Sequence, residues 1–234
     1  MNTQIITHQP YKQYKFAMFF AVFYFIGWAA TYPMAYKMIS IHGIIETGAI
    51  FIFPLSYAIA DIITEVYGYQ IARQIVWVAV ICGFIYSCVL QIVNALPPAS
   101  FWHDNKSYQV VYSHILRAYG AFTLASIIGN FINIYIISKW KINLRGKYFW
   151  LRSLVSTGIG ELSFTLISAS LAFIGVVPLS KIILLMLDGY LLKMIYCIVT
   201  VWPAYFIAVL LKQAEGTDVY DYGINYNPLK FNLT

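Results

Sequence analysis

The chain has 234 residues, 61% of them hydrophobic and 10% charged, with a mean hydropathy of +0.71 and a formal net charge of +6. Soluble domains carry about a quarter charged residues, so this composition excludes a soluble globular enzyme and describes an integral membrane protein. The basic excess does not describe a nucleic-acid-binding protein, because Lys and Arg follow alternate loops instead of forming one patch.

A spanning helix needs about 20 mostly apolar residues. Six such runs follow one another, near 16–36, 47–67, 74–96, 116–138, 153–177 and 182–211. The expected fold is all-α: a single bundle of about six transmembrane helices over 16–212, between an N-terminal segment (1–15) and a C-terminal tail (213–234). An even number of spans puts both termini on one side. Lys12, Lys15, Arg73, Lys139, Lys141, Arg145, Lys147, Arg152, Lys212 and Lys230 then share that side, against Lys37, Lys106, Arg117 and Lys181 on the other. This asymmetry makes both terminal segments cytoplasmic. The first run follows Lys12 and Lys15, is long enough to span and lacks a small-residue cleavage site, so it is expected to stay as an anchor.

The second span is unusual, because Asp61 and Glu65 sit one helical turn apart in an apolar run. Ionisable side chains are costly in a bilayer and mark polar pathways or sites. A period of 3.6 residues aligns them with Pro54, Tyr57 and Gly68 on one stripe. The structural alternative pairs Glu65 with Arg73 at the interface, with Asp61 bonding a neighbouring helix.

The third span carries Ser87, Gln91 and Asn94, and the fourth Tyr119, Thr123, Ser126, Asn130 and Asn133. Most of these read as interhelical hydrogen-bonding groups. Asn130 and Asn133 are kept as site candidates, because they add donors and acceptors at mid-depth. Ala121, Ala125 and Gly129 form a small-residue packing ridge on the same helix.

In the fifth span Glu161 is the sole formal charge between Arg152 and Lys181, with Thr157, Thr165 and Ser168 near its face. A carboxylate suits a guanine-like edge, whose N1–H and exocyclic amine are adjacent donors matching its two oxygens. The alternative is a protonated Glu161 serving as an interhelical hydrogen bond. In the last span Asp188 and Lys193 lie about 140° apart on an ideal helix and are poor partners for each other. Lys193, near the midplane, needs a carboxylate from another helix, either Asp61 or Glu161. Tyr190 shares its face, and Pro203 can kink the helix further on.

Trp28, Tyr57, Trp77 and Trp202 are the candidate stacking surfaces for a planar ligand. Cys82, Cys88 and Cys197 have neither paired spacing nor neighbouring His residues, so no disulfide, metal or cofactor is expected.

The run F-P-x-x-Y-x-x-x-D-x-x-x-E-x-Y-G-x-x-x-A-R, from Phe53 to Arg73, resembles the signature of the queuosine precursor transporter family, also called the vitamin uptake transporter family. Ser156-Thr157 with Gly160, Tyr190-x-x-Lys193 and Pro203-x-Tyr205 before Leu211-Lys212 extend the resemblance in order over most of the chain. It implies a multi-pass protein of the bacterial inner membrane that imports 7-cyano-7-deazaguanine, 7-aminomethyl-7-deazaguanine or queuine for tRNA modification. Tyr57, Asp61, Glu65, Asn130, Asn133, Glu161, Tyr190 and Lys193 are its expected substrate-binding residues.

Two elements depart from the family pattern. The fourth span reads Gly129-Asn130-Phe131-Ile132-Asn133 where a G-Q-x-x-D-like element is expected. The fifth reads Gly160-Glu161-Leu162-Ser163-Phe164-Thr165 where the family has an aspartate of its own. Asn133 and Phe164 thus stand in for aspartates, and a carboxylate appears at Glu161 instead.

The chain contains no G-x-x-x-x-G-K-[ST] sequence and cannot power itself with ATP through a P-loop. The rival reading is the substrate-binding subunit of an energy-coupling-factor importer, for which Ala17-x-x-x-Ala21 resembles a docking motif. An intramembrane enzyme using Asp61 and Glu161 as acid and base lacks any nucleophile–base or metal-ligand cluster. A homo-oligomer or an energising partner is left open.

Overall fold

A computed structural model describes residues 14–35, 37–41, 44–113, 115–173 and 178–230. Among them, six helices are long and apolar enough to cross a membrane. The helices are α1 (Ala17–Ala35), α2 (Phe53–Tyr67), α3 (Tyr69–Ala95), α4 (Asn105–Tyr112), α5 (Ile115–Asn143), α6 (Phe149–Phe173) and α7 (Leu179–Glu215). The short α4 is amphipathic and too short to span. The expected all-α membrane bundle is therefore present. Lys12 and the side chains of Arg117 and Lys181, used in weighing the two sides, lie outside the described residues.

Like α4, the elements between the first two spans were not expected. Strands β1 (Met38–Ile41) and β2 (Ile44–Thr47) form an antiparallel hairpin between the first two spans, with Ile39 opposite Glu46 and Met38 opposite Thr47. Its isoleucines favour extended backbone. A 3-10 turn over Gly48–Phe51 then leads into α2.

Helix α2 is the axis of the molecule and packs against α1, α3, α5, α6 and α7. In its span 78% of the residues are buried, against 22% for α3 and 28% for α7. Pro54 is tolerated in its first turn because the N–H it lacks would have no helical partner there. Gly68 ends it at a φ of 83°, a region that glycine enters without a Cβ penalty. The outer helices turn apolar side chains to the lipid, as Leu184, Leu187, Leu191 and Ile195 do on α7.

Helices α5 and α6 form the most extensive pair. They cross at Gly129 and Gly160, where a Cβ on either residue would lie 2.7 Å from the carbonyl oxygen of the other. The small-residue ridge read from the sequence therefore serves packing, and it lets Tyr57 of α2 reach the crossing.

The segment after α7 returns onto the bundle, with Thr217 and Asp221 buried. Asp221 accepts the N–H of Tyr69 at 2.9 Å, which occupies one of the free donors at the start of α3. Glu215 does the same just ahead of α1, accepting the N–H groups of Lys15 and Phe16 at 3.0 and 2.7 Å. A Cβ at Gly68 would meet Asp221 at 2.8 Å, so that glycine also admits the returning chain.

Candidate functional site

Two polar clusters are built on adjacent turns of α2 and α6. The first lies at mid-bundle. Asp61, fully buried, accepts hydrogen bonds through Oδ2 from Ser153 and from Thr157, the latter at 3.1 Å. Asn133 of α5 donates to Thr157 at 3.0 Å. Asp61 Oδ1, Asn133 Oδ1 and the Tyr57 hydroxyl are buried and have no hydrogen-bond partner among the described residues. Each unmet acceptor in such a place is costly, and together they give this face unused bonding capacity.

Glu161 extends the same cluster. It is buried and ion-pairs with Lys193 of α7 at 3.3 Å, while neither oxygen accepts a well-aligned hydrogen bond. Of the two carboxylates open to Lys193 from the sequence, the fold supplies Glu161. The ammonium also lies 4.7 Å from the centre of the Phe164 ring and 5.3 Å from that of Phe53, and it donates to Thr165 at 3.4 Å. Desolvated contacts of this kind favour a cation.

A cavity of about 100 Å³ opens beside Lys193. Phe53, Phe122 and Phe164 form its aromatic wall, with Thr165 and Ser168 from α6 and Glu46 from the hairpin. The Phe53 and Phe164 rings are 4.3 Å apart, and Phe122 lies 6.2 Å from Phe164 at 22°. The volume is well below the roughly 300 to 1,000 Å³ of pockets that enclose drug-sized ligands. A bicyclic base therefore requires the walls to part.

None of these phenylalanines was read as a stacking surface, although Phe53 opens the family-like run one turn before Tyr57 and Phe164 stands where the family has an aspartate. Phe122 carries no comparable signal, since an inward phenylalanine reads like a lipid-facing one. The indoles chosen as stacking surfaces lie elsewhere. Trp77 donates to the Pro228 carbonyl at 2.8 Å, and Trp202 is half exposed and stacks on Trp150. Trp28 is buried beside Phe53 and Phe122, its indole N–H unpartnered.

Asn130 does not face Glu161. Its carbonyl accepts the Tyr24 hydroxyl at 3.0 Å and its amide donates to Ser126 at 2.9 Å, which ties α5 to α1. Tyr190 donates to the Gly158 carbonyl at 3.2 Å and ties α7 to α6.

The second cluster surrounds Glu65. The alternative pairing with Arg73 does not occur, because Arg73 donates to the Asn225 and Asn227 carbonyls of the returning chain. Glu65 instead accepts Arg152 in a two-pronged contact at 2.7 and 3.2 Å, and Lys212 at 2.6 Å. Lys212 continues to Asp218 at 2.9 Å, and Lys141 meets the same Asp218 oxygen at 2.5 Å. Both oxygens of Glu65 are thus engaged within the protein. Partial burial works against the Asp218 carboxylate, yet its bonds to Lys141 and Lys212 hold its pKa below the ordinary value. Among the described residues no cluster of metal-ligating side chains occurs.

The family described as "Putative vitamin uptake transporter" matches residues 47–207, which includes α2, the mid-bundle cluster and Lys193. A Bacillus subtilis protein named "Probable queuosine precursor transporter" is 24% identical over 83% of this chain and 86% of its own length. The Escherichia coli "Queuosine precursor transporter" is 22% identical over 69% of this chain and 71% of its own. No solved structure matches the chain. A match that spans the whole central helix and both halves of the Glu161–Lys193 pair, on a bundle of six membrane helices, places the chain in the vitamin uptake transporter family, a family of multi-pass membrane transporters and not of enzymes.

Proposed function

We propose that the chain imports queuosine precursors, that is 7-deazaguanine bases bearing a 7-cyano or 7-aminomethyl group, or queuine, for the salvage of queuosine in tRNA. The names of its relatives support the substrate class. The observation that carries the reading is the aromatic cavity beside Lys193, with its partner Glu161 behind it and the unpartnered acceptors of Asn133 and of Asp61, about two turns along α2 from Phe53, further into the bundle. Rings of Phe53, Phe122 and Phe164 provide flat apolar contact for a planar base. Carboxylates suit the adjacent N1–H and amino donors of a guanine edge, and an ammonium suits its carbonyl oxygen.

In this reading Tyr57, Asp61, Asn133, Glu161 and Lys193 meet the substrate. Asn130 and Tyr190 position their helices, and the Glu65 cluster closes the opposite end. Both termini face the cytoplasm, in keeping with the distribution of Lys and Arg. The helices of α2, α6 and α7 would then separate alternately at the hairpin end and the terminal end. In the alternative of an energy-coupling-factor subunit, Ala17 and Ala21 would dock the partner; both are partly buried, and Ala17 packs against the chain's own core.

The test uses cells unable to make the deazaguanine core and lacking other importers. With this chain expressed, nanomolar precursor should restore queuosine to tRNA. Unmodified tRNA, with the protein abundant in the membrane, would refute the reading.

A further inference from the structure

The charges around the cavity do not balance. Lys193 is committed to Glu161, which does not itself line the cavity. Glu46 does line it, from the hairpin, and among the described residues it forms no ion pair. Its Oε2 accepts only the neighbouring Thr47, from the N–H at 2.6 Å and the hydroxyl at 3.3 Å. Its Oε1 lies against Gly189 of α7, where a Cβ would come within 2.0 Å of it. Only glycine leaves room for the carboxylate there. Among the described residues, Glu46 and Glu161 are two carboxylates set near the one ammonium of Lys193, and the carboxylate that it leaves unpaired sits in the cavity wall beside an aromatic surface.

We infer that Glu46 is a substrate-binding residue that selects bases carrying a cationic substituent, so that the 7-aminomethyl compound is taken in preference to the neutral 7-cyano compound. The inference rests on the import reading and deepens it. A ring held against Phe53 and Phe164 presents its edge to the hairpin side of the cavity, where an ammonium group would meet Glu46. A nitrile offers only an acceptor and would face a carboxylate with nothing to donate. Charge-assisted hydrogen bonds in partly desolvated sites are worth enough to shift such a preference about tenfold or more.

The experiment measures uptake of radiolabelled 7-aminomethyl- and 7-cyano-7-deazaguanine, alone and in competition, in cells that neither synthesise nor interconvert them. Wild type should favour the aminomethyl base by about tenfold. Glu46→Gln should abolish most of that preference by lowering uptake of the aminomethyl base far more than that of the cyano base, and Glu46→Asp should retain part of it. Gly189→Ala, which displaces the carboxylate without removing it, should move the ratio in the same direction. It also serves as the test if Glu46→Gln fails to accumulate. A wild-type preference for the nitrile, or an unchanged ratio in either well-inserted variant, overturns the role of Glu46 alone. Wild-type protein that moves queuine alone overturns this inference, and wild-type protein that moves none of the three bases overturns the import reading with it.

Discussion

Asp61 and Glu65 are one turn apart on the same helix, yet their surroundings differ in kind. Glu65 has both oxygens engaged by Arg152 and Lys212, and Lys212 is engaged in turn by Asp218. Asp61 takes hydroxyl donors on one oxygen while its other oxygen has no hydrogen-bond partner among the described residues, and Glu161 has an ammonium at 3.3 Å and no well-aligned hydrogen bond. A buried charge that is fully paired holds helices in one arrangement. A buried acceptor left short of donors has capacity for a ligand's donors. The first description fits a lock and the second a binding face, and they share α2 and α6.

Breaking the lock should have the largest effect. Arg152→Ala leaves Glu65 buried with one partner of two, and removing one member of a buried pair costs roughly 3 to 5 kcal/mol. The protein should fall sharply in membrane abundance and in detergent melting temperature, and Glu65→Gln should recover part of the loss in the double variant. Full stability of Arg152→Ala would show that the cluster is not a lock. On the binding face the ranking reverses: Asp61→Asn and Glu161→Gln keep shape but replace an acceptor oxygen with a donor. Asp61→Asn should remove low-concentration uptake of the precursor while the protein stays abundant. Glu161→Gln should remove uptake and also cost abundance, because it leaves the Lys193 ammonium unpaired, and normal uptake by both would empty the face of its role.

Lys193 lies between these extremes, since it is buried like the lock but pairs with the binding face. Lys193→Ala should lower both stability and uptake by leaving Glu161 unpaired. Adding Glu161→Gln should restore folding without restoring uptake, whereas adding Asp61→Asn should restore neither. Rescue by Asp61→Asn instead would mean that the lysine pairs with the other carboxylate.

What could be read in the sequence follows from locality. Charges in an apolar run are conspicuous, so Asp61, Glu65, Glu161 and Lys193 stood out, and the helical period placed the first two on one stripe. Their partners were harder. Arg152 is 87 residues from Glu65 and Lys212 is 147 residues away, and no periodicity connects positions so distant. Arg73, near in sequence, was the natural guess and lies against the returning chain instead. The same limit hid the docking of residues 217–228, which follow the last apolar run and were set apart as a tail. The hairpin escaped notice because ten residues between two apolar runs read as a loop, and Glu46 went with it. Phenylalanines of the cavity could not be told from those facing lipid, since both occur on apolar helices.

The smallest expected effect concerns the solvent side of the lock, at Asp218. Its folded-state pKa is depressed by Lys141 and Lys212, so its contribution is fully present above its unfolded value of about 3.9 and is lost as pH falls through the lower folded value. Between about pH 5 and 8 the docking of the returning chain should therefore not change with pH through this group. Below about pH 4 it should loosen. Amide exchange over residues 217–228, which include Tyr220 with its ring 4.7 Å from Lys141, measures this directly. Asp218→Asn should weaken docking only modestly, because its side chain is 41% exposed and solvent screens the pair, and it should remove the acid-dependent part of the change. Acid loosening that persists unaltered in Asp218→Asn would assign the transition to another carboxylate, and Asp221, which caps α3, is the group whose replacement would then be measured next.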